Sequence, residues 1–189
     1  TPEKSQLFNV QTYIEEQIHQ LPARQSAVAE KLATAVSAST SPSQRLASLQ
    51  AAARFWADSV QSFEPFAYYS AEAAKLENSE KNLTFAAQLF LGRLRSEKDA
   101  MKLEWEANEA IVLFEKALAI NPDNDDLKIG LGSAYIFGKG RNGDAAPTMK
   151  GVQELLAVVR RDSMNMRAQL VLGIGGAMSG QYDKAITRL

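Results

Sequence analysis

The stretch EAIVLFEKALAINPDN, residues 109–124, decides the fold of this 189-residue chain. Its small and apolar residues continue a stripe that begins upstream and recurs every three or four positions, the spacing of one face of an α-helix. The stripe consists of Leu103, Ala107, Ala110, Phe114 and Ala117. Because Pro122 excludes a helical conformation at Asn121, the pattern predicts one long helix over residues 100–120 and a second helix after the proline.

Helical spacing also dominates the rest of the chain, and strand signals are nearly absent. A first amphipathic helix is predicted to end at Pro22, and Ser41, Pro42 and Gln44 form the start signal of another helix, with a capping serine and a capping-box glutamine. The first two apolar stripes consist of Leu7, Val10, Ile14, Ile18 and Leu21, then Val28, Leu32 and Val36. We predict about ten helices and an all-α fold.

Composition excludes several functions. The formal net charge is −1 with acids and bases interspersed, which argues against nucleic acid and a polybasic membrane patch. No apolar run approaches the roughly 18 residues that cross a bilayer, so we expect no direct membrane insertion by this segment. The chain has no cysteine and one histidine, which excludes disulfides, cysteine-ligated zinc and multi-histidine metal sites.

The remaining candidates for chemistry have simpler interpretations. Glu16 and His19 match one half of a di-iron motif that must occur twice, so we interpret His19 as a helix-surface residue. The stretch DNDD at 123–126 lacks the glycine and glutamate of a calcium loop and is interpreted as helix-capping acids. The other carboxylates are predicted to lie on solvated faces. We therefore predict no catalytic, cofactor-binding or metal-binding residue, no cofactor and no enzyme activity.

The stretch 109–124, followed by LGSAY at 131–135, resembles the second helix of one tetratricopeptide repeat and the first helix of the next. The resemblance covers about residues 42–189. The pattern is similar to that of bacterial tetratricopeptide proteins with long-loop repeats. Its small first-helix position recurs at 53, 87, 132 and 173, farther apart in the later units than the roughly 34-residue repeat. It implies a right-handed α-solenoid of helix hairpins with an N-terminal helical extension.

The predicted domains are an N-terminal helical hairpin, 1–40, and a solenoid, 41–189. The solenoid divides into units 41–79, 80–122, 123–163 and an incomplete 164–189, in which Ile186 and Leu189 lack their usual neighbours. Small residues allow close crossing of the two helices of a unit, and we expect stacking of units to supply the stability. The small positions are Ala117, Gly132, Gly173 and Ala185.

GKGRNG at 138–143 matches the dinucleotide fingerprint G-x-G-x-x-G. That fingerprint needs a strand before it and a helix after it, whereas a helix is predicted before it and Pro147 is predicted to break any helix that begins there. The stretch 131–144 instead resembles long-looped tetratricopeptide relatives. Gly138 is expected to end its helix in a left-handed conformation, and Gly140 and Gly143 to let an enlarged loop fold back.

The resemblance implies a concave peptide-binding groove lined by the first helix of each unit. The lysine and asparagine arrangement that clamps a C-terminal carboxylate in chaperone-binding relatives is absent, so the groove is mostly apolar and suits an amphipathic helix or a hydrophobic peptide. By position, the groove residues are Lys81, Gln88, Ile129, Ser133, Phe137, Arg167, Leu170, Ile174 and Met178. Trp105 and Met101 lie off the main stripe of their helix and are interpreted as packing residues.

The sequence therefore predicts a non-enzymatic scaffold for protein–protein interaction, whose partner is another protein or a peptide. One alternative is a self-assembling protein, a homodimer whose incomplete C-terminal repeat is completed by a second copy or by further residues. Another is a groove filled by the N-terminal helices, 5–38. Residue 1 is Thr, so we expect that a signal peptide, an anchor or another leading segment has been removed. The compartment stays open between bacterial cytoplasm and a membrane-tethered or periplasmic soluble domain.

Overall fold

The computed structural model describes residues 7–142 and 144–188, and across these ranges the chain is all-α, as predicted. It holds ten α-helices and no strand within them. The helices are α1 (Val10–Gln20), α2 (Ala23–Ser37), α3 (Pro42–Phe55), α4 (Phe63–Glu77), α5 (Glu80–Arg93), α6 (Ala100–Ile120), α7 (Asp125–Phe137), α8 (Ala145–Arg161), α9 (Met166–Met178) and α10 (Tyr182–Arg188).

Local sequence explains where most helices begin. Side-chain oxygens accept the first backbone N–H groups, which have no partner inside a helix. Ser41 caps α3 in this way, with Pro42 at the first helical position as predicted. Asn121 adopts a non-helical conformation ahead of Pro122, so α6 ends at Ile120. The other capping residues are Asn9, Asp99, Asn124, Asp144 and Asn165.

Packing separates the chain into a unit that ends at Asn82 and a unit that begins at Leu83. In the first unit, α3 packs against α4, α2 against α3, and α1 against both α2 and α4. Ile14, Ile18 and Ala29 thereby join the core formed around Leu49 and Trp56. The helices of the predicted N-terminal hairpin thus bury their apolar residues inside this unit. The predicted boundary after residue 40 stays a prediction.

The sequence did not predict the turn that follows α3. Residues Trp56–Val60 form one π-helical turn, and Gln61 ends it in the left-handed region at φ 60°. Trp56 is almost completely buried there. A π-helical turn rotates the side chains that follow it relative to those before it. A search for apolar residues at α-helical spacing does not detect this shift.

In the second unit, each helix from α6 to α10 packs against the next along the chain, and α7 also contacts α9. Contacts between sequence neighbours are the packing of helical repeat arrays, in which each hairpin buries its apolar face against the following one. Phe90, Leu113 and Phe114 are fully buried, and so is Ala117. No helix in the described ranges has the length and apolarity needed to span a bilayer.

Glycines set the closest helix crossing in this unit. A Cβ placed on Gly132 of α7 would lie 2.8 Å from Leu155 Cγ and 2.9 Å from the carbonyl oxygen of Gly151 on α8. A Cβ on Gly151 would in turn lie 2.6 Å from the carbonyl oxygen of Gly132. The predicted small position at Gly132 is therefore a point of backbone contact, and Gly151 is its partner across the crossing.

Candidate binding surface

The GKGRNG stretch connects α7 and α8 and is bonded to the preceding hairpin. Lys139–Asn142 form a short 3-10 turn. One Arg141 nitrogen, Nη1, donates to the carbonyl oxygens of Leu94, at 2.9 Å, and Glu97, at 2.6 Å. The ammonium of Lys139 pairs with Glu104 of α6. Because a helix precedes these glycines, where a dinucleotide fingerprint requires a strand, we assign the turn to packing.

Two expectations about this turn were wrong. Gly138 has φ −95° and is not left-handed. The site requires a glycine for a different reason, because a Cβ would lie 2.4 Å from the Cβ of Ala107. Pro147 does not break the helix, because α8 begins at Ala145, with Asp144 as its cap. The proline occupies the first turn of α8, where its missing N–H has no intrahelical acceptor to lose.

The acidic start of α7 is paired with arginines. Arg161 of α8 donates to an Asp125 carboxylate oxygen at 2.5 Å, and Arg167 of α9 donates to Asp126 at 2.5 Å. The hydrogen bond to Asp125 is the largest cause that raises the pKa of Arg161 above its usual value. Asn124 is the residue that caps the helix. The acids of DNDD therefore join the first turn of α7 to the last turn of α8 and to the first turn of α9.

Helix α9 presents a row of apolar side chains to solvent. Leu170, Ile174 and Met178 stand one helical turn apart on one face, which we call the α9 row. Leu170 and Met178 are each 50% exposed and Ile174 is half-buried. Arg167 continues this face toward the start of the helix and is also exposed. Four of the nine predicted groove residues thus share one accessible surface.

The three groove residues predicted on α7 are buried. Ile129, Ser133 and Phe137 retain only small exposed fractions. The Ser133 hydroxyl donates to the carbonyl oxygen of Ile129 at 2.7 Å, inside its own helix. The Arg95 guanidinium lies 5.5 Å from the centre of the Phe137 ring. These side chains stabilise the unit and do not reach a partner at the surface.

The two predicted groove residues of α5 are exposed, but they fall in different units. Lys81 belongs to the unit that ends at Asn82, and Gln88 to the unit that begins at Leu83. The structure therefore brings together the α9 row with Arg167 and leaves the groove assignment as a whole a prediction. On α6, Trp105 packs edge-on against Phe90 with ring centres 5.2 Å apart, and Met101 is exposed.

A pocket of about 490 Å³ opens at the C-terminal end of the α9 row. Met178 lines it together with Met149 of α8, Arg141 of the turn and Ile136 of α7. Methionine side chains are flexible and polarizable and adapt to varied apolar partners. Sequence reasoning missed Met149 and Arg141, because neither occupies a first-helix position of the repeat. Both reach the pocket only through the fold of the turn.

Three buried carboxylates, those of Glu64, Glu97 and Glu106, contradict the expectation of solvated acids. Glu106 of α6 is completely buried, with Oε1 3.7 Å from Nε of Arg93. Glu97 is also largely buried; burial raises its pKa, but hydrogen bonds from the backbone N–H groups of Asp99 and Lys98 and the charge of Arg93 outweigh this, so the pKa is lower than usual. Glu97 thus bonds to the backbone of the turn between α5 and α6, whereas Glu106 lies inside α6. His19 is exposed in the last turn of α1.

The part of the chain that the structure describes holds no group of three or more acidic or histidine side chains that could bind a metal ion.

Comparison with known families gives one finding. Residues 106–154 match the tetratricopeptide repeat family, over a segment that runs from α6 through α7 into α8. This segment contains the Gly132–Gly151 crossing and the arginine-bonded turn. The sequence resemblance is thereby confirmed for this segment. Repeats of this family typically mediate protein–protein interactions and are generally non-enzymatic. No curated protein matches the chain.

Proposed function

Since residues 106–154 carry a tetratricopeptide repeat, we propose that the chain is a non-enzymatic scaffold that binds a peptide or helix of another protein along the α9 row. The observation that carries the proposal is the exposed alignment of Leu170, Ile174 and Met178 on a helix packed directly against that repeat. Apolar side chains one turn apart on one helix face match the spacing of the apolar face of a partner helix.

The chemistry of the surface favours an amphipathic partner. The row is apolar along its length, and Arg167 lies at one end, already paired with Asp126. At the other end, Met178 lines the pocket of about 490 Å³, which has room for a bulky apolar side chain. A bound segment would therefore place apolar residues at helical spacing against α9, with the last of them in the pocket.

The proposal is tested with a display library of random peptides selected on the full chain. Enriched peptides are measured by fluorescence anisotropy against the native protein, a Leu170→Glu, Met178→Glu double variant and a Val112→Glu control. Val112 is an exposed apolar residue of α6 and lies outside α9, so it controls for added charge. Far-UV circular dichroism and thermal unfolding must show that the variants fold equally.

We expect enriched peptides to carry apolar residues at spacings of three and four, to bind the native chain and the control, and to lose binding to the double variant. Each glutamate would place a charge against an apolar partner surface. Selection of no peptide above background, or equal binding by all three proteins, would rule out the α9 row as the binding surface.

A second candidate is self-assembly through α10, favoured by the exposure of Tyr182 at 65% and Ile186 at 74%. Leu189, the other residue expected to lack neighbours, lies outside the described residues. Sedimentation velocity over a range of concentrations distinguishes the two functions. Self-assembly predicts a concentration-dependent dimer that Ile186→Asp weakens, whereas a scaffold for another protein sediments as a monomer at every concentration.

A further inference from the structure

The first unit contains a pocket of about 540 Å³ among α1, α2, α3 and α4. This volume falls within the range of about 300–1,000 Å³ that is usual for small-molecule sites. Its apolar side is formed by Ile14 and Ile18 of α1, both buried, and by half-buried Val36 of α2. The pocket lies wholly within one compact unit and is separate from the α9 row.

A buried tyrosine without a hydrogen bond lines this pocket. Tyr69 of α4 retains 6% of its surface, and in the part of the chain described here its hydroxyl has no protein partner. Burial raises the pKa of Tyr69 to about 12, with a smaller contribution from the neighbouring Tyr68, so the group stays a neutral O–H donor. Because Tyr69 lines the pocket, a ligand acceptor there can take a hydrogen bond from this hydroxyl.

The second tyrosine places another polar group beside the first. The Tyr68 and Tyr69 rings meet edge to face, with centres 5.2 Å apart. The Tyr68 hydroxyl accepts a hydrogen bond from the Gln11 amide of α1 at 3.1 Å, which fixes its position at the pocket wall. Its own proton is left for another acceptor. Two phenol donors therefore line a cavity that Ile14, Ile18 and Val36 also line.

The rim of the pocket carries one charge of each sign. Arg45 of α3 and Glu15 of α1 are exposed and line the pocket, yet across the described ranges neither forms an ion pair with the other or with a third residue. A ligand with a single charge would attract one of these two side chains and repel the other. A ligand that carries both signs would satisfy both.

We propose that this pocket binds a small zwitterion with an apolar body, namely an apolar amino acid or a short apolar peptide with free ends. The carboxylate accepts from the Arg45 guanidinium and the Tyr69 hydroxyl. The ammonium pairs with Glu15, and the apolar body packs on Ile14, Ile18 and Val36. Arginine suits this role because its planar donors match a carboxylate.

The test is a two-dimensional NMR titration of the full chain with defined probes. The first arm compares L-leucine with L-leucyl-L-leucine, which separates an amino acid from a short peptide as the preferred ligand. The second arm uses the better of the two with its amine acetylated or its carboxylate converted to the amide. Each blocked probe removes one charge and keeps the apolar body.

Three variants and a control accompany the probes. Tyr69→Phe keeps the buried ring and removes only the hydroxyl, so we expect an unfolding temperature close to that of the native chain and binding weakened about threefold to tenfold. Arg45→Gln and Glu15→Gln are each expected to weaken the zwitterion by a similar factor. Lys31→Gln, an exposed change on α2 away from the pocket, is expected to leave binding unchanged.

The decisive comparison pairs probe with variant. If Arg45 binds the carboxylate, the amide probe, which lacks that charge, binds Arg45→Gln and the native chain equally. If Glu15 binds the ammonium, the acetylated probe, which lacks that charge, binds Glu15→Gln and the native chain equally. The absence of saturable shifts with either zwitterion would overturn the proposal. So would binding that none of the three pocket variants weakens. Neither result bears on the α9 row, which is tested separately.

Discussion

Replacement of Gly132 by alanine tests whether backbone contact sets the distance between α7 and α8. In an ordinary helix this change is stabilising by about 1 kcal/mol, because alanine restricts the unfolded chain and favours helix. In this protein the new Cβ would lie 2.8 Å from Leu155 Cγ and 2.9 Å from the carbonyl oxygen of Gly151. The second neighbour is backbone and cannot rotate away.

The magnitude follows from that contact. Restoring ordinary van der Waals separation requires the two helices to move apart by roughly half an ångström or more. Overpacking of this kind costs about 1–3 kcal/mol. The gain in helix propensity offsets about 1 kcal/mol of it. We therefore expect Gly132→Ala to lower the free energy of unfolding by up to about 2 kcal/mol, the reverse of the usual sign.

Urea unfolding followed by circular dichroism measures the loss. Because the chain has two compact units, amide hydrogen exchange in α7 and α8 is needed to assign that loss to the second unit. Gly92→Ala on α5 is the matched control, since its Cβ would meet nothing within 4 Å. We expect this control to be neutral or stabilising by up to about 1 kcal/mol.

The reasoning is refuted if Gly132→Ala is as stable as the native chain, or more stable, with unchanged exchange in α7 and α8. That outcome would mean that the two helices can separate without loss, and that the Gly132–Gly151 crossing does not hold the hairpin together. Destabilisation by both glycine variants would instead point to a general effect of the substitution.

Three further predictions concern buried and bonded groups. Ala117→Asp places a charge at a fully buried site on α6 and should cost about 3 kcal/mol or more, whereas exposed Ala119→Asp, in the last turn of the same helix, should cost only about 1 kcal/mol in the same urea assay. Arg141→Met removes two hydrogen bonds to carbonyls of the α5–α6 turn and should cost about 1 kcal/mol; a loss no larger than that of exposed Arg160→Met would contradict the role assigned to the turn. The pKa of Glu97 is lower than usual in the folded chain, so its ionised form contributes stability above the ordinary carboxyl range and loses it as the pH falls through the folded pKa. Thermal unfolding from about pH 7 to about pH 3 should therefore show Glu97→Gln less stable than the native chain near neutrality and convergence of the two on acidification; a constant difference would contradict this.

Much of the fold could be predicted because its signals are local. The stripe through Phe114 and the stop at Pro122 gave α6 its bounds, and Ser41 gave the start of α3. Gly132 was identifiable as a small position because the repeat places it there. The errors were local as well: Pro147 was predicted to break a helix, although a proline in the first turn has no hydrogen bond to lose.

The candidate binding surface could be predicted only in part. Position in the repeat placed Leu170 and Met178 at the surface, where the structure exposes them, but the same rule placed Phe137 at the surface, and the structure buries it beside Arg95. Arg95 belongs to the turn after α5, far from Phe137 in sequence. A rule based on residue spacing along one helix cannot identify a neighbour from another part of the chain.

By itself, the sequence determined that the chain forms helices, where most of them begin and end, and that residues 106–154 resemble a tetratricopeptide repeat. Periodicity, capping and proline act within a few residues, so their effects can be recognised in the amino-acid sequence alone. Only the tertiary structure decided that Ile129 is buried and Leu170 exposed at equivalent positions, and that Tyr69 lines a pocket. Burial and bonding depend on which distant helix lies opposite, and that is fixed by packing rather than by local sequence.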